Sequence, residues 1–172
     1  MNCFYRVGLK FKDPPFSLFT PPMKPHKTYK LKTTPGVYYV WVAGSCDYGH
    51  TERCSGGAYV MQKDEEIIDA YTTSDIHTTE FRMILTTMIH AMEVIPEKAN
   101  IVFLTNVAYI QQNFDREPTA KSANPDLLNA CRQAKSKHLS VEVKLIPFHK
   151  YHLLVETHER AHQAMVERQR HT

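Results

Sequence analysis

At 172 residues, with 42% hydrophobic and 23% charged residues, the chain is long enough for one domain with a real core and too ordinary in composition for a fibrous or disordered class. No apolar run reaches membrane-spanning length and no signal-type hydrophobic segment stands at the N-terminus, so neither a membrane protein nor an exported one is expected. The net charge of +3 is uneven: residues 1–35 hold seven Lys or Arg against Asp13 alone, a net of +6, while the remainder holds 14 basic and 17 acidic residues, a net of −3. Cys3, Cys46, Cys54 and Cys131 form no Cys-x-x-Cys pair, which argues against a zinc ribbon or a dithiol redox site. A reduced, cytoplasmic protein is the expectation.

Residues 1–35 contain Pro14, Pro15, Pro21, Pro22, Pro25 and Pro35, and read as an extended arm rather than a second domain. Phe4, Tyr5, Phe11, Phe16 and Phe19 make it too aromatic for a solvated linker. It is expected to pack on the domain at 36–172, with Cys3 to Phe11 as an added edge strand. Val37–Val42 is a continuous run of β-formers, the mark of a strand buried on both faces. Gly56-Gly57 leads into Ala58–Met61, and a polar turn at Lys63–Glu65 leads into Glu66–Thr72, giving an antiparallel meander. Thr79 is placed to cap a helix, and Phe81, Ile84, Leu85, Met88 and Met92 follow helical spacing until Pro96. Ile101–Thr105 is a further apolar strand, and Val107–Phe114 a short helix. Pro125 opens a helix to about Lys137. Val141, Val143 and Leu145 alternate with polar residues as a strand with one wet face, and Leu153–Arg168 forms the last helix. Three meander strands followed by strand–helix alternation predict an α/β domain with a mixed sheet.

Four stretches carry more than periodicity: VYYVWVAGSCDYG, SGGAYV, TTEFRMILTTMIHAMEVI and IVFLTNVAYIQQNF. In this order, from about Val37 to the C-terminus, the chain resembles ribonuclease H of type 1. The resemblance implies a mixed five-stranded sheet with helices on both faces, and an RNA–DNA hybrid as the ligand. It also implies a two-metal site built from acidic residues, and there the sequence departs. The family's acids fall at Ala43, just before Gly44-Ser45-Cys46; at Ile84, after Arg82-Met83; at Asn106; and near Thr157 or His158. Ala43 and Ile84 offer no ligand atom, and Asn106 offers only a neutral amide oxygen, whereas Mg²⁺ demands hard anionic oxygens. The expectation is a pseudo-enzyme with no catalytic residues and no cofactor. Mg²⁺ or Mn²⁺ enters only under the alternative of an active hybrid nuclease, in which Asp47, Glu80, Glu156 or Glu159 replaces the lost ligands.

The binding candidates each carry a plainer reading. Gly44 and Ser45 approach the hybrid's backbone in the family, but any strand-to-strand turn also favours Gly; Asp47 and His50 are close enough in sequence to add polar contacts. Arg82 is a phosphate contact or, more commonly, a solvated helical Arg. Asn106 meets a sugar or phosphate, or caps the helix beginning at Val107; the cap is the favoured reading. Lys10, Lys12, Lys27 and Lys30, with Lys24 and Lys32, interleave with aromatics as in single-strand binders, or simply keep an edge soluble. His158-Glu159-Arg160-Ala161-His162 matches His-Glu-x-x-His, so His158 and His162 can share a helix face and ligate zinc, with Glu159 as base and His149 or His152 as a third ligand. Arg160 and the missing downstream ligand favour a polar helix face instead. The partner is a nucleic acid, as hybrid or single strand, or an unidentified protein.

Overall fold

A computed structural model describes residues 29–172. The expected strand at Cys3–Phe11, and Lys10, Lys12, Lys24 and Lys27, lie outside them. The elements run β1 (Tyr38–Cys46), β2 (Ser55–Lys63), β3 (Glu66–Asp75), α1 (Glu80–Val94), β4 (Asn100–Thr105), α2 (Ala108–Asn113), α3 (Pro125–Lys135), β5 (Ser140–Leu145) and α4 (His152–Arg170), with one 3-10 turn at Phe148–Lys150 before α4. The five strands form one mixed sheet in the order β3-β2-β1-β4-β5. β1 pairs antiparallel with β2 and parallel with β4. β2 and β3 are antiparallel, and β4 and β5 parallel.

The continuous apolar run of β1 takes the centre because it is buried on both sides. Val40 and Val42 point into the main core, with α1, α2 and α3, alongside Phe103, Ile84 and Met88. Tyr39 and Trp41 point the other way, where Leu153 and Leu154 of α4 cover them. Helices therefore occupy both faces. The β2–β3 hairpin turns through Asp64 and Glu65, both at positive φ, as a two-residue connection with matching twist requires. Thr79 caps α1: its Oγ1 accepts from the Arg82 amide at 3.3 Å. Pro96 follows the helix end, where His138 donates from Nε2 to the Met92 carbonyl at 2.8 Å.

Arg82 grips α3. Its guanidinium makes a fork of bonds to Asp126, 3.0 and 2.8 Å, and a third to Asn124 Oδ1 at 3.3 Å. That pairing holds the Asp126 carboxyl at about 2, well below the usual carboxylate range. Between Tyr29 and Gly36 the chain forms no strand but is tied down at three amides: Tyr29 N donates to Lys150 O, Thr34 N to the Tyr39 hydroxyl and Gly36 N to Asp64 Oδ1, each at 2.8 Å. Cys46 and Cys54 flank the β1–β2 loop but point to opposite sides of it, Cys46 Sγ towards Thr78 O at 3.7 Å and Cys54 Sγ towards His50 Nδ1 at 3.7 Å. They are free thiols, as is Cys131.

Both helices that sandwich the meander touch it through residues without side chains. A Cβ on Gly56 would stand 2.1 Å from the Ala161 carbonyl oxygen of α4, and one on Gly57 would stand 2.8 Å from the Met83 carbonyl oxygen of α1. Gly56→Ala is thus expected to force α4 off the sheet and to lower stability by about 1–3 kcal/mol, the cost of overpacking. Gly49→Ala, whose nearest neighbour would be Asp47 Oδ1 at 3.4 Å in the exposed loop, should stay within about 0.5 kcal/mol of the parent. Urea denaturation of the two variants against the parent chain measures this difference.

Candidate nucleic-acid interface

The positions at which the resemblance places the family's carboxylates hold two buried apolar side chains and one amide. Ala43 lies on the α4 side of β1, fully buried in a small cluster with Ala58 and Ala161. Ile84 lies on the opposite side of the sheet, fully buried in the main core. The two side chains are hydrocarbon packed against hydrocarbon. Asn106 sits after β4, half-buried. It does not cap α2: the capping position is Val107, with no side-chain hydrogen bond. Its side chain turns instead to α4, where Asn106 Oδ1 lies 2.9 Å from His158 Nε2. An amide oxygen only accepts, so Nε2 carries the hydrogen. Burial lowers the His158 imidazole below its ordinary value, which keeps it neutral and suited to that single donor role. The edge of Phe148 meets the ring of His158 at a centroid distance of 4.6 Å.

His158 and Phe148 belong to a groove of about 520 Å³, lined also by Gly44, Ser45, Val155, Glu159, His162 and Gln163. A second hollow of about 420 Å³ adjoins it across Phe148, with Asn106 and Leu145–Pro147 in its wall. Ser45 faces α4 and reaches His162 Nδ1 and Met165 Sδ, both at 3.5 Å. Gly44 faces α1, where a Cβ would be 2.6 Å from the Glu80 carbonyl oxygen. Of the predicted contacts, Gly44 and Ser45 therefore stand in the groove with both histidines, whereas Arg82 stands at α3 on its ion pair. Lys30 lies elsewhere, paired with Glu65 at 3.3 Å on the outside of the molecule.

The carboxylates named as substitutes have other engagements. Asp47 Oδ2 accepts from Gln169 at 2.9 Å, tying the β1–β2 loop to the end of α4. Glu156 pairs with Arg160 one turn along α4 at 3.0 Å. Burial raises the Glu80 carboxyl above its ordinary value, which favours the neutral form over the anion that a metal needs. Glu159 reaches the groove wall but is exposed. His158 and His162 do share a helix face and line one groove, as their spacing requires. Among the described residues no group of three His, Cys, Asp or Glu side chains is arranged to hold a metal ion. His149 is exposed on the 3-10 turn and its ring packs beside Phe148, and His152 opens α4. Phe148 carried no signal in the sequence, because the β5–α4 connection has no periodicity to read; Val155 and Gln163 sit on α4, and only the packing of that helix shows that its face at these residues lines a groove.

No family model and no curated protein matches this chain. Solved structures do. LC9-RNase H1, a type 1 ribonuclease H with the type 2 active-site motif, is 19% identical, over 80% of this chain and 75% of that one, with a TM-score of 0.63. LC11-RNase H1, crystallised with an RNA/DNA hybrid, is 12% identical, over 77% of this chain and 99% of that one, at 0.63. Ribonuclease H1 from the halophilic archaeon Halobacterium salinarum NRC-1 is 14% identical, over 80% of this chain and 100% of that one, at 0.57. The chain has a ribonuclease H-like fold. No described helix is long and apolar enough to cross a membrane.

Restoring acids to this scaffold is expected to damage it. Asp at position 43 or Glu at position 84 would bury a charge with no partner, a cost of about 3 kcal/mol or more for Ala43→Asp and Ile84→Glu alike. Asn106→Asp, at a half-buried position, should cost far less. Thermal melts of the three variants give the comparison. The His158 imidazole gives a pH signature as well. Its folded value lies below the unfolded 6.5, so the unfolded chain takes up the proton first. The stability that this group supports is complete above 6.5 and falls away as the pH drops beneath it. His158→Gln should flatten that part of the profile, seen by comparing melting temperatures at about pH 7.5 and 5.5.

Proposed function

We propose that this chain is a cytoplasmic, ribonuclease H-like module that binds nucleic acid without hydrolysing it. The observation that supports this most directly is the chemistry of the vacated positions. Two-metal phosphodiester hydrolysis needs anionic oxygens that hold two cations about 4 Å apart. Here Ala43 and Ile84 are sealed in apolar contacts and the Asn106 oxygen is occupied by His158. These residues do not fit Mg²⁺ or Mn²⁺, and no hydrolytic step follows from them. Burial raises the carboxyl of Glu80, one turn before Ile84, above its ordinary value, which disfavours the anion a metal would need.

Binding survives the loss of that chemistry because it rests on other groups. The groove beside Gly44 and Ser45 offers a hydroxyl, the exposed His162 ring and the Gln163 amide over one continuous wall. Such groups donate to phosphate and sugar oxygens and fix register without reading sequence. LC11-RNase H1 holds an RNA/DNA hybrid on the same fold, and a hybrid or single strand is the ligand proposed here. The folded body is acidic by three charges, so the attraction for phosphate falls to the basic segment, through Lys10, Lys12, Lys27 and Lys30.

Two measurements on the full chain test this reading. A fluorescently labelled RNA–DNA hybrid should remain intact in Mn²⁺, and cleavage that disappears on Glu80→Ala would establish the displaced-carboxylate enzyme instead. Anisotropy with the same hybrid should show binding that weakens linearly with the logarithm of salt concentration. The quadruple Lys-to-Ala variant at 10, 12, 27 and 30 should lower the slope by about 0.7–0.9 for each phosphate contact removed. Absence of binding even at low salt would transfer the role to a protein partner.

A further inference from the structure

A third hollow lies at the N-terminal end of α4, before the turns that line the groove. It encloses about 260 Å³, and Tyr29, Trp41, Tyr151, Gln62, Lys30 and Glu65 are among its lining residues. It is smaller than a pocket for a drug-sized molecule, about 300–1,000 Å³, and suits a single flat ring system. Tyr151 is its hub. The Tyr151 ring lies 5.6 Å from Trp41 on the inside and 6.4 Å from Tyr29 on the outside, each tilted by 48°. Trp41 is 2% exposed and forms the floor, whereas Tyr29 is 51% exposed and forms the outer wall.

One polar group is built into this aromatic enclosure. The Trp41 indole donates from Nε1 to Gln62 Oε1 at 2.9 Å, which fixes the amide and its orientation. Among the described residues nothing takes the Gln62 Nε2 hydrogens, and Oε1 retains a second lone pair. A fixed amide with a donor and an acceptor side by side matches the neighbouring acceptor and donor on the edge of a nucleobase, adenine above all. The mouth carries positive charge: Lys150 Nζ stands 5.2 Å over the outer Tyr29 ring. Lys30 also lines the cavity, its charge offset by Glu65, so Lys150 carries the net positive charge of the rim. Cations at the rim disfavour a quaternary ammonium guest and favour a ring that trails phosphate.

The geometry points to a pocket for one unpaired nucleobase, stacked on Tyr29 and Tyr151 and read by the Gln62 amide. This builds on the nucleic-acid reading above and gives the chain a place to hold a single-stranded base away from the groove. The same chemistry would accept a free nucleotide.

Trp41 is the only tryptophan in the chain, so its fluorescence reports on this cavity directly. Adenosine monophosphate added to the full chain should quench it to saturation, while ribose 5-phosphate and inorganic phosphate leave it unchanged. Tyr29→Ala, a change at an exposed ring that leaves the core intact, should weaken the nucleotide by at least about fivefold, as loss of a stacking partner does. Gln62→Ala should weaken adenosine monophosphate more than its deaminated inosine counterpart. Quenching of a single-stranded oligonucleotide but not of the mononucleotide would assign the pocket to a strand; quenching by both would admit the free nucleotide. Failure of both to quench, or equal quenching by ribose 5-phosphate, would overturn the proposal, as would tighter binding of N-acetyltryptophanamide, the signature of a protein side chain as guest. Hybrid binding by anisotropy with no quenching by any nucleotide would sink the pocket alone. Quenching by the mononucleotide with no hybrid binding would sink the reading of the groove alone.

Discussion

Gly56 has no room for a methyl group, and neither has Gly57 or Gly44. A Cβ at these positions would fall 2.1, 2.8 and 2.6 Å from carbonyl oxygens of Ala161, Met83 and Glu80 respectively. Two helices thus lie with their backbones almost on the sheet, α4 on one face and α1 on the other, at one end of the β1–β2 ladder. Packing of this kind gains dispersion energy and apolar burial from many small contacts. It also leaves no space for a longer side chain in the same layer. The rest of the structure follows from that clamp. The end of α4 reaches the β1–β2 loop, where Gln169 holds Asp47, and α1 is set so that Arg82 meets Asp126.

The clamp also explains why position 43 carries so small a side chain. Ala43 is a member of the contact between β1 and α4, fully buried with Ala58 and Ala161. A carboxylate there needs water or a cation in reach, and the close approach of α4 removes both from the position. Ile84 fills the main core on the far face. Ala43 and Ile84 thus complete the apolar packing on each side of the sheet. Asn106 and His158 keep a polar link between β4 and α4, but as a neutral hydrogen bond. A neutral pair at this place costs far less to bury than charges would.

α4 is the element that both hollows share. Its N-cap, Tyr151, and its first residues line the aromatic cavity, and its middle turns carry the wall of the groove, with Ser45 and Phe148 on the other side. Its buried residues, Leu153, Leu154, Thr157, Ala161 and Met165, recur at helical spacing and fix which residues are left to face outward. The polar residues of the His-Glu-x-x-His stretch all line the groove, His158 bonded to Asn106 and Glu159 and His162 exposed.

The sequence by itself determined the elements and their order, because hydrophobic period and capping are local properties. The unbroken apolar run of β1, the Thr79 cap, the stop before Pro96 and Pro125 at the head of α3 were each legible within a few residues. The resemblance to ribonuclease H added the sheet arrangement, and it drew attention to Ala43, Ile84 and Asn106. What those positions do was decided only by the tertiary structure. Asn106 has the composition and place of a helix cap, yet it bonds to His158, 52 residues away. Arg82 looks like a solvated helical residue, yet it grips Asp126, 44 residues away. The aromatic cavity joins Tyr29, Trp41, Gln62 and Tyr151 from four separate segments. Long-range polar partners leave no periodic trace in a sequence: an amide or guanidinium satisfies its hydrogen bonds with whichever group the packing of the backbone brings within about 3 Å.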